Sequence, residues 1–133
     1  MRILIAGTSS GCGKTTVTLA LMAALRAKGL TVAPFKVGPD YIDPGFHAVA
    51  CGRPSDNLDG HLVDESAGRA VLRAGEESAD IAVIEGVMGY YDGMHSRDFA
   101  CSTWRMAADT RTPALLVVEE SGGAASAAAT ALG

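Results

Sequence analysis

The chain has 133 residues, of which 48% are hydrophobic and 20% are charged, and its formal net charge at pH 7 is −4. This size and composition predict one soluble globular domain rather than two. No apolar run of about 18 residues occurs, so no membrane-spanning segment is expected. The acidic balance also argues against nucleic acid as a principal partner. Cys12, Cys51 and Cys101 are far apart and form no CxxC pair, which predicts reduced thiols in a cytoplasmic protein.

Short apolar runs alternate with helical patterns along the chain. The predicted strands are 3–6, 31–35, 81–84 and 114–118, and the predicted helices are 15–28, 63–73 and 102–108. The Ala- and Ser-rich end, 122–133, also has a helical composition. This alternation predicts an α/β fold of three layers, with a mostly parallel sheet covered by helices on both faces. Two long segments without predicted regular structure, 36–61 and 85–98, follow the carboxyl ends of strands. Ligands bind at that edge of open α/β sheets, so both segments are expected to be functional.

The turn after the first strand carries the strongest motif, with residues 7–16 reading GTSSGCGKTT. Gly11 and Gly13 permit positive φ angles, so successive backbone N–H groups can point at phosphate oxygens. The motif therefore predicts a phosphate-binding loop at a helix N-terminus and a fold like that of the P-loop NTPases. The spacing is a variant, because five residues rather than the usual four separate Gly7 from the Gly-Lys-Thr triplet. The residues expected to bind the nucleotide are Ser10, Gly11, Cys12, Gly13, Lys14, Thr15 and Thr16, with Cys12 acting through its backbone.

Acidic residues follow the second and third predicted strands. Glu85 is interpreted as an anchor for Mg²⁺, with a loop cap that accepts N–H bonds from residues 86 and 87 as the alternative. Asp40 and Asp43 lie in a loop stiffened by two prolines. One or both would complete a Mg²⁺ site with Thr15, or else each forms an Asx turn. Lys36 is expected to neutralise a transferring phosphoryl group or a substrate carboxylate, with a surface lysine as the alternative.

These interpretations define two overlapping sets of residues. The expected catalytic residues are Lys14, Lys36, Asp40, Asp43 and Glu85, and the expected Mg²⁺ ligands are Thr15, Asp40, Asp43 and Glu85. His47 and His61 lack the spacing of metal ligands, which favours structural or surface roles. Trp104 is interpreted as a packing residue within a helix.

Five motifs, in the same order, resemble the synthetase domain of the cobyrinic acid a,c-diamide synthase family. They are GTSSGCGKT at 7–15, FKVGPDYIDP at 35–44, GRPS at 52–55, NLD at 57–59 and EGVMGYYDG at 85–93. The resemblance covers nearly the whole chain and implies that ATP phosphorylates the a and c acetate carboxylates of a corrinoid. Ammonia derived from glutamine would then displace the phosphate to leave an amide. ATP as a substrate and Mg²⁺ as a cofactor are part of the same implication.

Members of that family continue into a glutamine amidotransferase domain, whose Gly-x-Cys-Gly-type elbow does not occur in these 133 residues. Residues 1–133 are therefore expected to be the N-terminal part of an ATP-binding, dethiobiotin synthetase-like domain, truncated and inactive alone. One alternative is a nucleotide switch like the MinD and ParA ATPases, although Ser9 and Ser10 stand where those proteins carry a lysine near the start of the loop. A relative of dethiobiotin synthetase or cobyric acid synthase and a non-catalytic remnant are further alternatives, and a homodimer stays open.

Overall fold

The computed structural model describes residues 1–59, 65–94, 99–120, 123 and 125–132. The strands are β1 (Arg2–Gly7), β2 (Val32–Val37), β3 (Asp56–Leu58), β4 (Ile81–Glu85) and β5 (Ala114–Val117). The helices are α1 (Lys14–Ala27), α2 (Asp43–Cys51), α3 (Glu65–Glu77), α4 (Thr103–Thr110) and α5 (Ser126–Leu132). The strands form one sheet in the order β3-β2-β4-β1-β5, and every pairing is parallel. The predicted α/β class is confirmed.

Two apolar clusters cover the two faces of the sheet. Leu4 points to one face, where it joins a cluster that includes Leu72 of α3 and a residue of α4. Its neighbour Ile5 points to the other face and joins Met22 of α1 and residues of α2. Successive side chains of a strand alternate between faces, so buried strands of this kind carry helices on both sides. The three-layer prediction is confirmed. Among the described helices, none has the length and hydropathy of a membrane-spanning segment.

Part of the segment 36–61 is regular, and the prediction of an irregular loop there is wrong at two places. Residues 43–51 form α2, which has Pro44 in its first turn and ends at Gly52 with a φ of 67°. Proline at the start and a left-handed glycine at the end are ordinary helix signals, but the dense Pro, Gly and Asp content concealed them. Strand β3 is only three residues long and depends on pairing with β2, which no local pattern reveals. The sheet therefore has a fifth strand beyond the four that were predicted.

The remaining elements lie within a few residues of their predicted bounds. Helix α1 stops as expected, since Gly29 has a φ of 85° and its N–H donates to the Arg26 carbonyl at 2.8 Å. Helix α4 begins after Ser102, whose hydroxyl accepts a hydrogen bond from the Arg105 N–H. Helix α3 extends to Glu77 rather than to residue 73. The predicted start of that helix, at 63 and 64, lies outside the described residues, as does His61.

The strand order determines where the site lies. Strand β4 runs between β1 and β2, so the segments that follow these three strands leave the same edge of the sheet. In the register of the sheet, Glu85 is opposite Lys36 on one side and Ile5 on the other. The glycine-rich turn, the Lys36–Asp43 loop and the end of β4 therefore meet at one place.

Candidate nucleotide-binding site

The glycine-rich turn has the backbone geometry that anion binding requires. Gly11 and Gly13 have φ angles of 79° and 97°, values that residues with a Cβ rarely adopt. Gly13 precedes α1 and no side chain caps the first N–H groups of the helix, which leaves them available to an anion. A Cβ on Gly7 would collide with the Cys12 sulfur and lie 2.9 Å from Lys14 Cγ. The buried Lys14 side chain curls over the turn and its Nζ donates to the Ser9 carbonyl at 2.7 Å.

A lysine surrounded by carboxylates lies beside this turn. Lys36 Nζ is 2.6 Å from Asp43 Oδ2, 3.0 Å from Glu85 Oε1 and 3.9 Å from Asp40 Oδ2. It also donates to the Gly86 carbonyl at 3.1 Å. Burial by itself would lower the pKa of Lys36, but the hydrogen bonds and charges of Asp43 and Glu85 outweigh burial and raise the pKa above 10.5. Lys36 is thus a buried, charged group, and the surface-lysine alternative is wrong.

Glu85 is fully buried and links Thr15, which follows the glycine-rich turn, to Lys36 and His47. Its Oε1 accepts from Thr15 Oγ1 at 2.6 Å and from Lys36, and its Oε2 is 2.6 Å from His47 Nε2. Burial would raise the pKa of Glu85, but the hydrogen bonds from His47 and Thr15 and the charge of Lys36 hold it below 4.5. The carboxylate does not cap the loop, because the Gly86 and Val87 N–H groups bond elsewhere, to the Ile5 carbonyl and Thr103 Oγ1.

The two aspartates of the Lys36–Asp43 loop have different environments. Asp40 Oδ1 accepts from the N–H groups of Ile42 and Asp43, at 2.8 and 3.1 Å. This is the Asx turn that was one alternative for both residues. Asp43 instead forms the short ion pair with Lys36. The Asp40 backbone carbonyl also accepts from Asn57 Nδ2 at 2.8 Å, which ties the loop to β3. Asp40 therefore shapes the loop, while Asp43 belongs to the charged cluster.

His47 is a member of the site that the sequence interpretation did not assign to it. It is fully buried, with Nε2 on Glu85 and Nδ1 3.2 Å from Ser55 Oγ. His47 lies four residues after Asp43 in α2, and residues at this spacing share a helix face. The spacing of Asp43 and His47 would therefore have placed His47 in the site if residues 43–51 had been predicted as a helix.

The donor atoms and charge of the cluster suit a divalent cation. One ammonium faces the carboxylates of Asp40, Asp43 and Glu85, which leaves a net negative charge. The Thr15 hydroxyl and the carboxylates are hard oxygen donors of the type that Mg²⁺ prefers. Within the described part of the chain, no group of three or more His, Cys, Asp or Glu side chains forms a metal site by itself.

The predicted site residues thus fall into two groups. Thr15, Lys36, Asp43 and Glu85 are in direct contact, with Asp40 at the border of that cluster. Lys14 and Cys12 are buried within the turn, while Ser10, Gly11 and Thr16 lie exposed at its surface. A parallel sheet with this phosphate-binding turn at the carboxyl edge of its strands defines a nucleotide-binding α/β domain of the phosphate-loop type.

Comparison with known proteins identifies the family. The model of the CobQ/CobB/MinD/ParA nucleotide binding domain matches residues 3–112, and the chain belongs to that family. The cobyrinate a,c-diamide synthase of Thermoplasma acidophilum is 48% identical over 128 residues, which are 96% of this chain and 29% of that protein. The hydrogenobyrinate a,c-diamide synthase of Streptomyces coelicolor is 51% identical over 128 residues, 96% of this chain and 26% of that protein. The cobyrinate a,c-diamide synthase of Salmonella typhimurium is 48% identical over 130 residues, which are 98% of this chain and 28% of that protein. The chain thus spans little more than a quarter of these relatives.

Proposed function

We propose that this chain is the ATP-binding part of a cobyrinate or hydrogenobyrinate a,c-diamide synthase, acting in cobalamin biosynthesis. Identity near 50% to proteins of these names, across nearly all of the chain, supports the substrate class. The observation that carries the chemistry is the Thr15–Glu85–Lys36–Asp43 cluster beside the phosphate-binding turn. The free thiols of the described cysteines support a cytoplasmic setting.

The proposed reaction needs positioning and charge compensation rather than an acid–base triad. An acetate oxygen of the corrinoid attacks the γ-phosphorus of ATP, the bond to the bridging oxygen of ADP breaks, and an acyl phosphate forms. Ammonia then attacks the acyl carbon, inorganic phosphate leaves, and the nitrogen loses a proton to give the amide. A carboxylate accepts an amine poorly until one of its oxygens becomes a phosphate leaving group. Aligned phosphates and cations supply most of the rate for such transfers.

The residues of the chain have distinct roles in this scheme. Lys14 and the N–H groups of residues 11–16 hold the phosphates of ATP. Lys36 is fixed by three carboxylates at the end of β2, where its ammonium can compensate charge on the transferring phosphoryl group or on the attacking acetate. Thr15 and Glu85, with Asp43, would hold Mg²⁺, which supplies charge neutralisation to the phosphates when bound. Asp40 shapes the loop that presents Asp43.

The proposed reaction also needs ammonia, and none of the roles assigned above releases it from glutamine. We propose that ammonia comes from glutamine through residues that the longer relatives possess, and that the 133 residues alone form negligible diamide even with ATP, Mg²⁺ and high ammonium. Robust ammonium-dependent diamide formation by the 133 residues would contradict this part of the proposal.

Nucleotide binding is tested by calorimetric titration of the chain with ATP and Mg²⁺. Lys14→Ala removes the charge that reaches the phosphates and is expected to weaken binding at least tenfold. Lys28→Ala, at the far end of the same helix, is the matched control and should change affinity less than twofold. Equal affinities of the two variants would contradict the phosphate-loop assignment.

The reaction itself is tested in a chimera. This chain replaces the aligned 128 residues of the Thermoplasma acidophilum relative, and diamide formation is followed with cobyrinic acid whose carboxylates carry ¹⁸O. Transfer of one ¹⁸O into each released phosphate is expected, since the acyl phosphate inherits a carboxylate oxygen. Diamide formed without ¹⁸O in phosphate would refute the acyl phosphate. ATP hydrolysis without any diamide would instead favour the nucleotide-switch alternative.

A further inference from the structure

A large cavity opens at the same edge of the sheet as the nucleotide site. Its volume is about 890 Å³, within the usual range of small-molecule sites, and its walls come from the segments after β2 and β4 and from α3 and α4. The lining is mainly apolar, and its larger apolar side chains include Met88, Met94, Phe99, Trp104 and Met106. The phosphate-binding turn and the charged cluster account for none of these side chains.

The cavity lies on the face of the sheet covered by α3 and α4, whereas the charged cluster lies on the face covered by α1 and α2, and both reach the same edge of the sheet. Val37 and Lys36 are successive residues of β2 and therefore point to opposite faces, and Val87 of the lining lies two residues after Glu85, beyond the end of β4. A peripheral arm of a molecule in the cavity would reach Lys36 over the carboxyl edge of the sheet, and no residue of the phosphate-binding turn belongs to the lining. A phosphoryl acceptor bound there must bring its oxygen within about 3–3.5 Å of the phosphorus.

We propose that this cavity holds the macrocycle of the tetrapyrrole substrate, with one acetate arm directed at Lys36. The inference rests on the proposed function for the substrate class and adds the place and mode of binding. A large apolar ring system needs an apolar surface of matching size. Three methionines in the lining provide one that adapts, because unbranched thioethers repack with little cost. The same adaptability suits a site that must accept the a and the c arm in turn, each requiring its own placement of the ring.

Two aromatic side chains, Phe99 and Trp104, line the cavity, and Tyr91, which is outside the lining, contacts both of their rings. The ring centroids of Phe99 and Trp104 are 5.1 Å apart, and that of Tyr91 lies 5.8 Å from Phe99. Offset contacts of this kind hold the rings in place. Half of the Phe99 surface is nevertheless exposed. A bound macrocycle would cover this apolar surface, which is a favourable contribution to its affinity.

The charged residues of the lining are of both signs. Arg69 of α3 and Arg105 of α4 line the cavity together with Asp59, Asp92 and Asp109. The Arg105 side chain is 55% exposed and pairs with Asp109 at 2.8 Å. Exposed pairs of this type within a helix contribute little, so a substrate carboxylate can recruit the guanidinium at small cost and form a charge-assisted hydrogen bond. The apolar surface thus fits the body of such a ring, and Arg105 can pair with one of its peripheral carboxylates.

The test uses the only tryptophan of the chain, Trp104, as the reporter. The 133-residue chain is titrated with cobyrinic acid in the absence of ATP. Trp104 emission is followed, with N-acetyltryptophanamide as the correction for light absorbed by the corrinoid. Saturable quenching is expected because the macrocycle would lie against the indole.

Two phenylalanines provide a matched pair of variants. Phe99 lines the cavity and is 50% exposed, whereas Phe46 of α2 is 54% exposed and is absent from the lining. Phe99→Ala is expected to weaken cobyrinic acid binding at least tenfold, and Phe46→Ala less than twofold. Equal effects, or a larger effect of Phe46→Ala, would place the corrinoid elsewhere and overturn the proposal.

A second pair addresses the charges and does not depend on an apolar contact. Arg105→Ala is expected to weaken binding at least threefold at low salt, with Arg111→Ala, whose side chain is outside the lining, as the control. Circular dichroism and ATP affinity are measured for every variant. Normal ATP binding without saturable quenching overturns the cavity proposal and leaves the proposed function intact. Failure of the chimera to bind ATP overturns the proposed function instead.

Discussion

The buried contact between His47 and Glu85 supports a quantitative prediction. Both side chains are fully buried and their atoms approach to 2.6 Å. In His47→Ala, Glu85 loses a hydrogen bond to a buried carboxylate, which is worth about 1.5–3 kcal/mol. The space left by the imidazole adds roughly 1–2 kcal/mol. We therefore expect the free energy of unfolding to fall by about 3–5 kcal/mol, a large part of the ~5–15 kcal/mol typical of a domain.

The assay is urea denaturation followed by circular dichroism, with two comparison variants. His47→Gln keeps an N–H donor near the position of Nε2 and should lose about half as much stability. Val49 lies on the same helix but is 82% exposed. Val49→Ala should therefore change the free energy of unfolding by no more than about 0.5 kcal/mol. A His47→Ala protein as stable as the Val49→Ala control would refute the contribution of this hydrogen bond.

The same substitution changes the acid stability in a direction that the structure determines. The pKa of Glu85 in the folded state is below 4.5, although burial acts to raise it, because His47, Thr15 and Lys36 together outweigh burial. A depressed carboxyl pKa contributes stability above the unfolded pKa, and this contribution is lost as pH falls through the folded value. Without His47 the folded pKa rises, so His47→Ala should begin to unfold at a higher pH than the unmodified chain. An unchanged acid-unfolding midpoint would contradict this reasoning.

Four further predictions concern other parts of the site and core. In the chimera, Glu85→Gln should reduce turnover far more than ATP affinity, since the lost charge matters most during phosphoryl transfer; near-normal turnover at saturating Mg²⁺ would make the role of Glu85 structural. Lys36→Met should destabilise the chain by about 3–5 kcal/mol in urea, because it leaves buried carboxylates without their cation, and stability equal to the unmodified chain would contradict this. The Lys36 contribution should persist up to pH 10.5 and vanish only above it, since its pKa is raised. Burial raises the pKa of Cys51 to about 11, so at pH 8 iodoacetamide should label Cys101 well before Cys51 in a mass-spectrometric time course, and equal labelling would contradict this.

Much of the fold follows from local sequence patterns. The apolar runs of β1 and β4 and the helix that Gly29 ends are readable because their signals lie within a few residues of each element. The same is true of the phosphate-binding turn, whose positive φ angles at Gly11 and Gly13 are permitted by the residue type alone. Alternation of strands and helices was enough to predict a parallel sheet, because parallel strands need crossover connections.

The tertiary structure alone decided which charged groups meet. Strand β3 exists through its pairing with β2, and helix α2 was concealed by residues typical of loops. The separate environments of Asp40 and Asp43 also depend on long-range placement, since only the sheet register brings Lys36 opposite Glu85. His47 reaches Glu85 across 38 positions of sequence. Local sequence determines backbone conformation through sterics and nearby hydrogen bonds, whereas the partners of a buried charge are set by how the elements pack, and no local pattern records that.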